Sequence, residues 1–311
     1  MLRTSTSTTN DKVQTMNKRN ATLLGLAAML AVAGFSTTSQ AQETPHDRAR
    51  GELSPGTGAP TQAQLMNAIR SAAPTALEAM LEYGERVECH ACVPLLEQKL
   101  LEDSNAETRR ISAWWLRHRP FAIAAIMNRM KAVLATDADA TRRARAAIAI
   151  GEFLDAGGLT PLVTAFETDG EPVVREAVIR ALGRLNHPGG NATIAAGLGD
   201  TANEVRRAAL DQVLLVNFFR EDDALMSTLG DDDAYIRMRS ARLLGAKRVA
   251  EAVPALAGML RSDSDNLVRQ AAAWALGRVG GADARAALRE AGTIEEVSIV
   301  RDAINVAIQM R

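Results

Sequence analysis

Cys89 and Cys92 frame the run CysHisAlaCys, and they are the only cysteines of the chain. Two thiols at this spacing support four kinds of chemistry. They can close a small disulfide, cycle as a redox pair, give two ligands to a metal, or carry haem when His follows the second Cys. Val93 follows Cys92, which removes the haem option. Structural zinc sites are almost always four-coordinate. The histidines are His46, His90, His118 and His187; His90 lies inside the loop and His118 is 26 residues beyond Cys92, so no second ligand pair stands at a workable spacing. A thioredoxin-like pair belongs with a βαβ setting, and no such pattern surrounds this one. A Cys89–Cys92 disulfide is the leading expectation, with redox use of the pair as the alternative.

Little else in the chain suggests catalysis. No Ser-His-Asp grouping, phosphate-binding loop or paired carboxylate site stands out. The many Asp and Glu residues read as helix caps and solvated faces. The three tryptophans, Trp114, Trp115 and Trp274, are the larger surprise in a chain that is 4% aromatic.

The elements that must hold these residues repeat. Residues 173–185 (VVREAVIRALGRL) and 267–279 (LVRQAAAWALGRV) share one pattern. Counted from an acid as position 0, position 6 is Arg, position 9 is small or apolar, position 13 is apolar and position 14 is often Gly. The pairs are Asp103/Arg109, Asp137/Arg143, Asp169/Arg175, Asp200/Arg206, Asp231/Arg237, Asp263/Arg269 and Glu295/Arg301. Positions 5, 9, 12, 13 and 16 fall on one face of an α-helix. The acid precedes that helix, where a short acceptor can satisfy free N–H groups. Gly151, Gly183, Gly245 and Gly277 stand at position 14, near the helix end, and permit close packing or a left-handed cap. A second apolar stretch precedes each acid, and Pro94, Pro161 and Pro254 mark first turns. Each repeat is therefore a helical hairpin, and a single hairpin cannot bury its apolar face alone.

The pattern Asp-x5-Arg-x2-Ala-x3-Leu-Gly resembles HEAT repeats, in the short form also found in phycobilisome lyases, over about residues 93–309. The resemblance implies an all-α fold, a right-handed α-solenoid of about seven hairpins. It also implies that the fourteen paired residues form a structural ladder, each Arg bonding the acid of an adjacent repeat. Deoxyhypusine hydroxylases share the fold but carry repeated His-Glu iron ligands. None of the histidines here is followed by Glu, so that activity, and any cofactor, is not expected.

Residues 62–92 are expected to form a degenerate N-terminal cap carrying the Cys-x-x-Cys motif, ahead of an array over 93–311. In the cap Gly84 takes position 14 and Ala76 replaces the Arg. Residues 1–41 read as a signal peptide: Lys18 and Arg19, then an apolar run over 23–35, then Ser39-Gln40-Ala41. That run is too short to span a bilayer. Met16 is a plausible true start, and residues 42–61 read as a disordered linker. The expected location is periplasmic or secreted. Losing Arg3, Lys12, Lys18, Arg19 and Asp11 would take the formal charge from −1 to −4. A mildly acidic exported chain does not suit nucleic acid as a partner.

What remains is surface. Position 11 escapes the apolar face and holds Trp114, Ile148, Arg180, Asp211, Arg242, Trp274 and Val306. Trp and Arg dominate binding hot spots, so Trp114, Arg180, Arg242 and Trp274 are the expected partner-binding residues. Trp115, one position on, is expected to fill space beside the disulfide junction. Arg110, Arg145, Arg207 and Arg239 add an Arg bias, interrupted by Glu176 and Asp211, which suits a partner with acidic groups. The reading is an exported, non-catalytic scaffold that binds another protein on the concave helical face. The alternative is a redox or electron-transfer accessory that uses the Cys89–Cys92 pair or docks a haem protein.

Overall fold

The computed structural model describes residues 58–310. The expected signal peptide (1–41) lies outside these residues, as does nearly all of the expected linker (42–61). Sixteen α-helices and four short 3-10 turns make up the described fold, and no strand occurs among these residues. The helices are α1 (Gln62–Ser71), α2 (Pro74–Tyr83), α3 (Cys92–Glu102), α4 (Ala106–Arg117), α5 (Ile123–Thr136), α6 (Ala140–Glu152), α7 (Leu159–Thr168) and α8 (Pro172–Leu185). They continue as α9 (Asn191–Gly197), α10 (Asn203–Gln212), α11 (Asp222–Ser227), α12 (Ala234–Lys247), α13 (Val253–Ser262), α14 (Asn266–Val279), α15 (Gly281–Ile294) and α16 (Ser298–Ile308). They pair in order as eight hairpins, α1/α2 through α15/α16. Stacking them buries a continuous core, to which each second helix gives its position 9 side chain: Ala146, Val178, Ala209, Ala272 and Ile304 are all buried. The fold is an all-α solenoid.

The acid at position 0 ends the first helix of its hairpin rather than capping the second. Asp103, Asp137, Asp169 and Asp263 are C-caps. Each turns its Oδ1 to the backbone N–H two residues on, at 2.9–3.0 Å. Asp231, at the end of a 3-10 turn, holds the Asp233 N–H in the same way at 2.9 Å. In four repeats the residue so held caps the second helix: Asn105, Asp139, Asp233 and Asp265 accept from first-turn N–H groups.

Five Arg residues tie neighbouring hairpins together. Arg143, Arg175, Arg206, Arg237 and Arg269 each hold the next repeat's acid (Asp169, Asp200, Asp231, Asp263 and Glu295). Nε donates at 2.7–2.8 Å and Nη2 at 2.9–3.0 Å. Nη1 turns back to the carbonyl of the Arg's own position 0 at 2.8–3.1 Å. Each Arg thus ties its own loop to the next one. Burial is the largest single influence on the four Asp carboxyls and pushes them up, but the Arg hydrogen bonds, the backbone N–H bonds and the guanidinium charge together outweigh it and hold them below the usual range. For Glu295 the Arg269 bond is the leading cause and acts the same way.

The ends of the ladder depart from the expected pattern. Arg109 does not reach Asp137: Arg142 Nε takes that carboxylate at 2.9 Å, and Lys99 takes Asp103 at 2.9 Å. The step from Asp103 to Asp137 is 34 residues, against 31 or 32 elsewhere, and it includes the 14-residue α5. The extra length carries Asp137 past Arg109's grip. Arg301, in the last hairpin, has no acid partner among the described residues and is exposed.

The glycines at position 14 work by close approach. A Cβ on Gly151 would lie 2.7 Å from Ala181 Cα, on Gly245 2.7 Å from Ala275 Cα, and on Gly277 2.8 Å from Ala307 Cα. The neighbours are position 12 of the next repeat, so small residues at both places let second helices pack backbone against backbone. Gln212 occupies position 12 in the fourth array repeat, and its side chain fills the space over Gly183. After Gln212 α10 ends, and Leu214 replaces the glycine. The chain then makes an irregular turn in which Phe218 adopts φ 60°, an uncommon conformation for a bulky residue.

Candidate functional site

The Cys89 and Cys92 sulfurs lie 2.10 Å apart, at bonding distance, in the turn that opens α3. Both residues are fully buried. His90 is exposed, 3.1 Å from Glu88 Oε1, with its ring centroid 4.1 Å from that of Phe121. The histidine and the sulfurs therefore share no common point where a ligand could sit. Among the described residues no group of three or more His, Cys, Asp or Glu could hold a metal ion. Alkylating the native protein without reductant should label neither thiol, whereas reduction under denaturing conditions should expose two. Two labelled thiols in the native, unreduced protein would contradict the disulfide.

Trp115, at position 12 of the first array repeat, is fully buried, and the Arg119 guanidinium lies 3.5 Å over its ring. Trp114 and Trp274 are half-buried and pack against the core, and Trp274 also stands at the seam between α12 and α14, beside Gly245. Trp114 meets His118 edge-on at 5.2 Å, and its carbonyl accepts from His118 Nδ1 at 2.8 Å. Arg180 is exposed and bound to Glu176, one turn back on its own helix, at 3.0 Å. These two do not join a common site. Arg242 and Trp274 do.

Arg242 on α12, Gln270, Ala271 and Trp274 on α14, and Ile299, Asp302, Ala303 and Val306 on α16, with Met310 beyond it, line a groove of about 580 Å³. Its floor and walls are mostly apolar, and its charged groups are Arg242 and Asp302. Ile299 and Val306 are 45% and 58% exposed, large values for branched aliphatic side chains facing a groove. Sequence reasoning picked out Trp274 and Arg242 but missed Ile299 and Met310. A larger groove of about 630 Å³ runs between α5 and α7. It is lined by Lys131, Thr136, Asp137, Thr160, Thr164 and Thr168 among others, a mixed polar surface with no aromatic side chain. A second exposed apolar spot, Leu214, Leu215 and Phe218, lies on the irregular turn after α10. Its signal in the sequence was the missing glycine at position 14. No helix is long and apolar enough to cross a membrane among the described residues.

Stacked helical hairpins of this kind define an α-solenoid. HEAT repeats match residues 127–214 and 223–309, more than half of the chain, and the chain belongs to the HEAT-repeat family. No curated protein matches it. Among solved structures, YibA of E. coli is 16% identical; the match covers 86% of this chain and 96% of that one, with a TM-score of 0.52. The S. pombe condensin Cnd3–Cnd2 subcomplex is 17% identical over 79% of this chain and 41% of that one, with a TM-score of 0.55. A Kap121p mutant is 12% identical over 85% and 32%, with a TM-score of 0.56. At these identities the likeness is one of fold.

Proposed function

We propose that the protein is an exported, non-catalytic scaffold that holds another protein against the concave face formed by its second helices. The observation that carries this is the groove at Trp274 and Arg242. A half-buried indole beside exposed Ile299 and Val306 gives apolar area to bury. Arg242 and Asp302 at the same groove give polar groups that would fix a partner's register. Aromatic and Arg anchors in such settings carry most of the binding energy at interfaces. Export is inferred from the signal-like residues 1–41, and an oxidising compartment suits the cysteine pair. The redox alternative is less well supported, because both cysteines are buried and an incoming thiolate needs access to a sulfur.

The test is affinity capture from a periplasmic fraction. A partner retained by the parent protein should be lost, by tenfold or more, on Trp274→Ala or Arg242→Ala. Trp114→Ala and Arg180→Ala, outside the groove, should capture it nearly as well. Capture that is insensitive to Trp274 and Arg242 would move the binding surface elsewhere.

A further inference from the structure

We propose that Arg109, backed by Arg145, is a carboxylate-binding fork that receives an acidic side chain of the partner protein. The proposal rests on the partner-binding reading above and names a second contact for it. Arg109 differs from its five counterparts in one half of its bonding. In those repeats Nη1 anchors the guanidinium on its own loop, and the Nε/Nη2 edge grips a carboxylate. Arg109 keeps the first half of this arrangement: Nη1 donates to Asp103 O at 2.8 Å and Ser104 O at 3.0 Å. The guanidinium is therefore held in place. Its Nε/Nη2 edge has no protein acceptor among the described residues, since Asp137 is bound by Arg142 at 2.9 Å.

A second guanidinium stands beside it. Arg145 on α6 is held through Nη1 by Leu101 O at 2.8 Å and has no carboxylate partner among the described residues. Burial, and then the positive charge of Arg145, lower the pKa of Arg109, whereas the five ladder arginines are raised by their acids. Nearby carboxylates are already engaged. Glu152 is held by Arg184 at 3.1 Å, Asp103 by Lys99 at 2.9 Å, and Glu107 and Glu78 by Arg110. Arg109, Arg110 and Arg145 line a cleft of about 70 Å³, walled by Leu100, Ala113 and Ile148 and bordered by Glu152, whose carboxylate Arg184 holds. That volume suits the head of one acidic side chain. A planar carboxylate is what this edge grips elsewhere in the molecule, and bidentate Arg–carboxylate pairing is strong and geometrically selective. The cleft lies between the second helices α4 and α6, and the groove at Trp274 is also built on second helices.

Arginine Nε–H resonances of the full chain report the site directly. The probes are a capped tetraglutamate peptide and sodium phosphate, titrated separately at constant ionic strength. The Arg109 and Arg145 signals should move saturably with the peptide, and those of Arg143, Arg175, Arg206, Arg237 and Arg269 should stay in place. Half-saturation should come at a tenfold lower concentration of peptide than of phosphate. Arg109→Lys keeps the charge but loses the fork, and should raise the peptide concentration needed at least tenfold; Arg145→Gln should weaken binding similarly. An unmoved Arg109 signal would overturn the proposal. So would phosphate binding as well as the peptide, or an Arg109→Lys protein that is folded, by its melting curve, and binds as the parent does. Because the titration needs no partner, it is independent of capture at Trp274. An unmoved Arg109 with capture intact counts against the fork alone. A moving Arg109 with capture insensitive to Trp274 supports the fork and counts against the groove.

Discussion

Arg206→Ala should destabilise the protein by about 3 kcal/mol, the range for removing one partner of a buried ion pair. Arg206 and Asp231 side chains are only 12% and 7% exposed. The truncation leaves the Asp231 carboxylate without its two guanidinium bonds and frees the Asp200 and Thr201 carbonyls that Nη1 had joined. A change of this size lowers the melting temperature by roughly 2–4 °C per kcal/mol in a chain of this length. Arg301→Ala is the control: the same residue at the same position, exposed and without an acid partner among the described residues. It should stay within about 0.5 kcal/mol, as surface substitutions do. Equal losses from both variants would mean that the carboxylate pairing contributes nothing.

The same pairs set a pH dependence. Asp169, Asp200, Asp231, Asp263 and Glu295 all have carboxyls held below their ordinary values in the folded protein. A lowered folded pKa means that the unfolded chain binds the proton first. The stabilisation is then complete above the unfolded value, about 4, and is lost as pH falls through the folded values. Arg206→Ala should therefore differ most from the parent at neutral pH, and the gap should narrow below about pH 4 as Asp231 becomes protonated.

Much of this was legible in the sequence, because a repeat states its own rules several times over. The five middle rungs follow from an acid and an Arg 25 or 26 residues apart. The broken first rung was also written there, in a 34-residue step and in Arg142, which stands at a position where later repeats place Val or Ile. The capping role was misplaced by two residues, because position 2 varies in type while position 0 does not; the invariant acid drew attention from the N-cap. The groove was only half legible. Position 11 pointed to Trp274 and Arg242, but Trp274 also leans on the neighbouring helix. Ile299 and Met310 matter because no further helix among the described residues covers α16, and a periodic pattern carries no mark for that.

Gly245→Ala should destabilise by about 1–3 kcal/mol, although alanine favours helix over glycine by about 1 kcal/mol. The new Cβ would lie 2.7 Å from Ala275 Cα and 2.9 Å from Trp274 Cζ3. Backbone on both sides cannot yield cheaply, so α12 and α14 must separate, and interiors packed at crystal-like density tolerate little of this. Gly258→Ala isolates the propensity term: Gly258 lies within α13 and nothing stands within 4 Å of its new Cβ. That variant should gain up to about 1 kcal/mol. Opposite signs in chemical denaturation are the expected result, and a stabilising Gly245→Ala would refute the close approach. The consequence reaches the groove, because the atoms crowded on the α14 side include Trp274 Cζ3 beside those of Ala275, while Arg242 sits on α12 itself. Gly151→Ala presses on Ala181 in the same way but far from that groove. Both glycine variants should therefore lose stability, and only Gly245→Ala should also weaken capture of the partner.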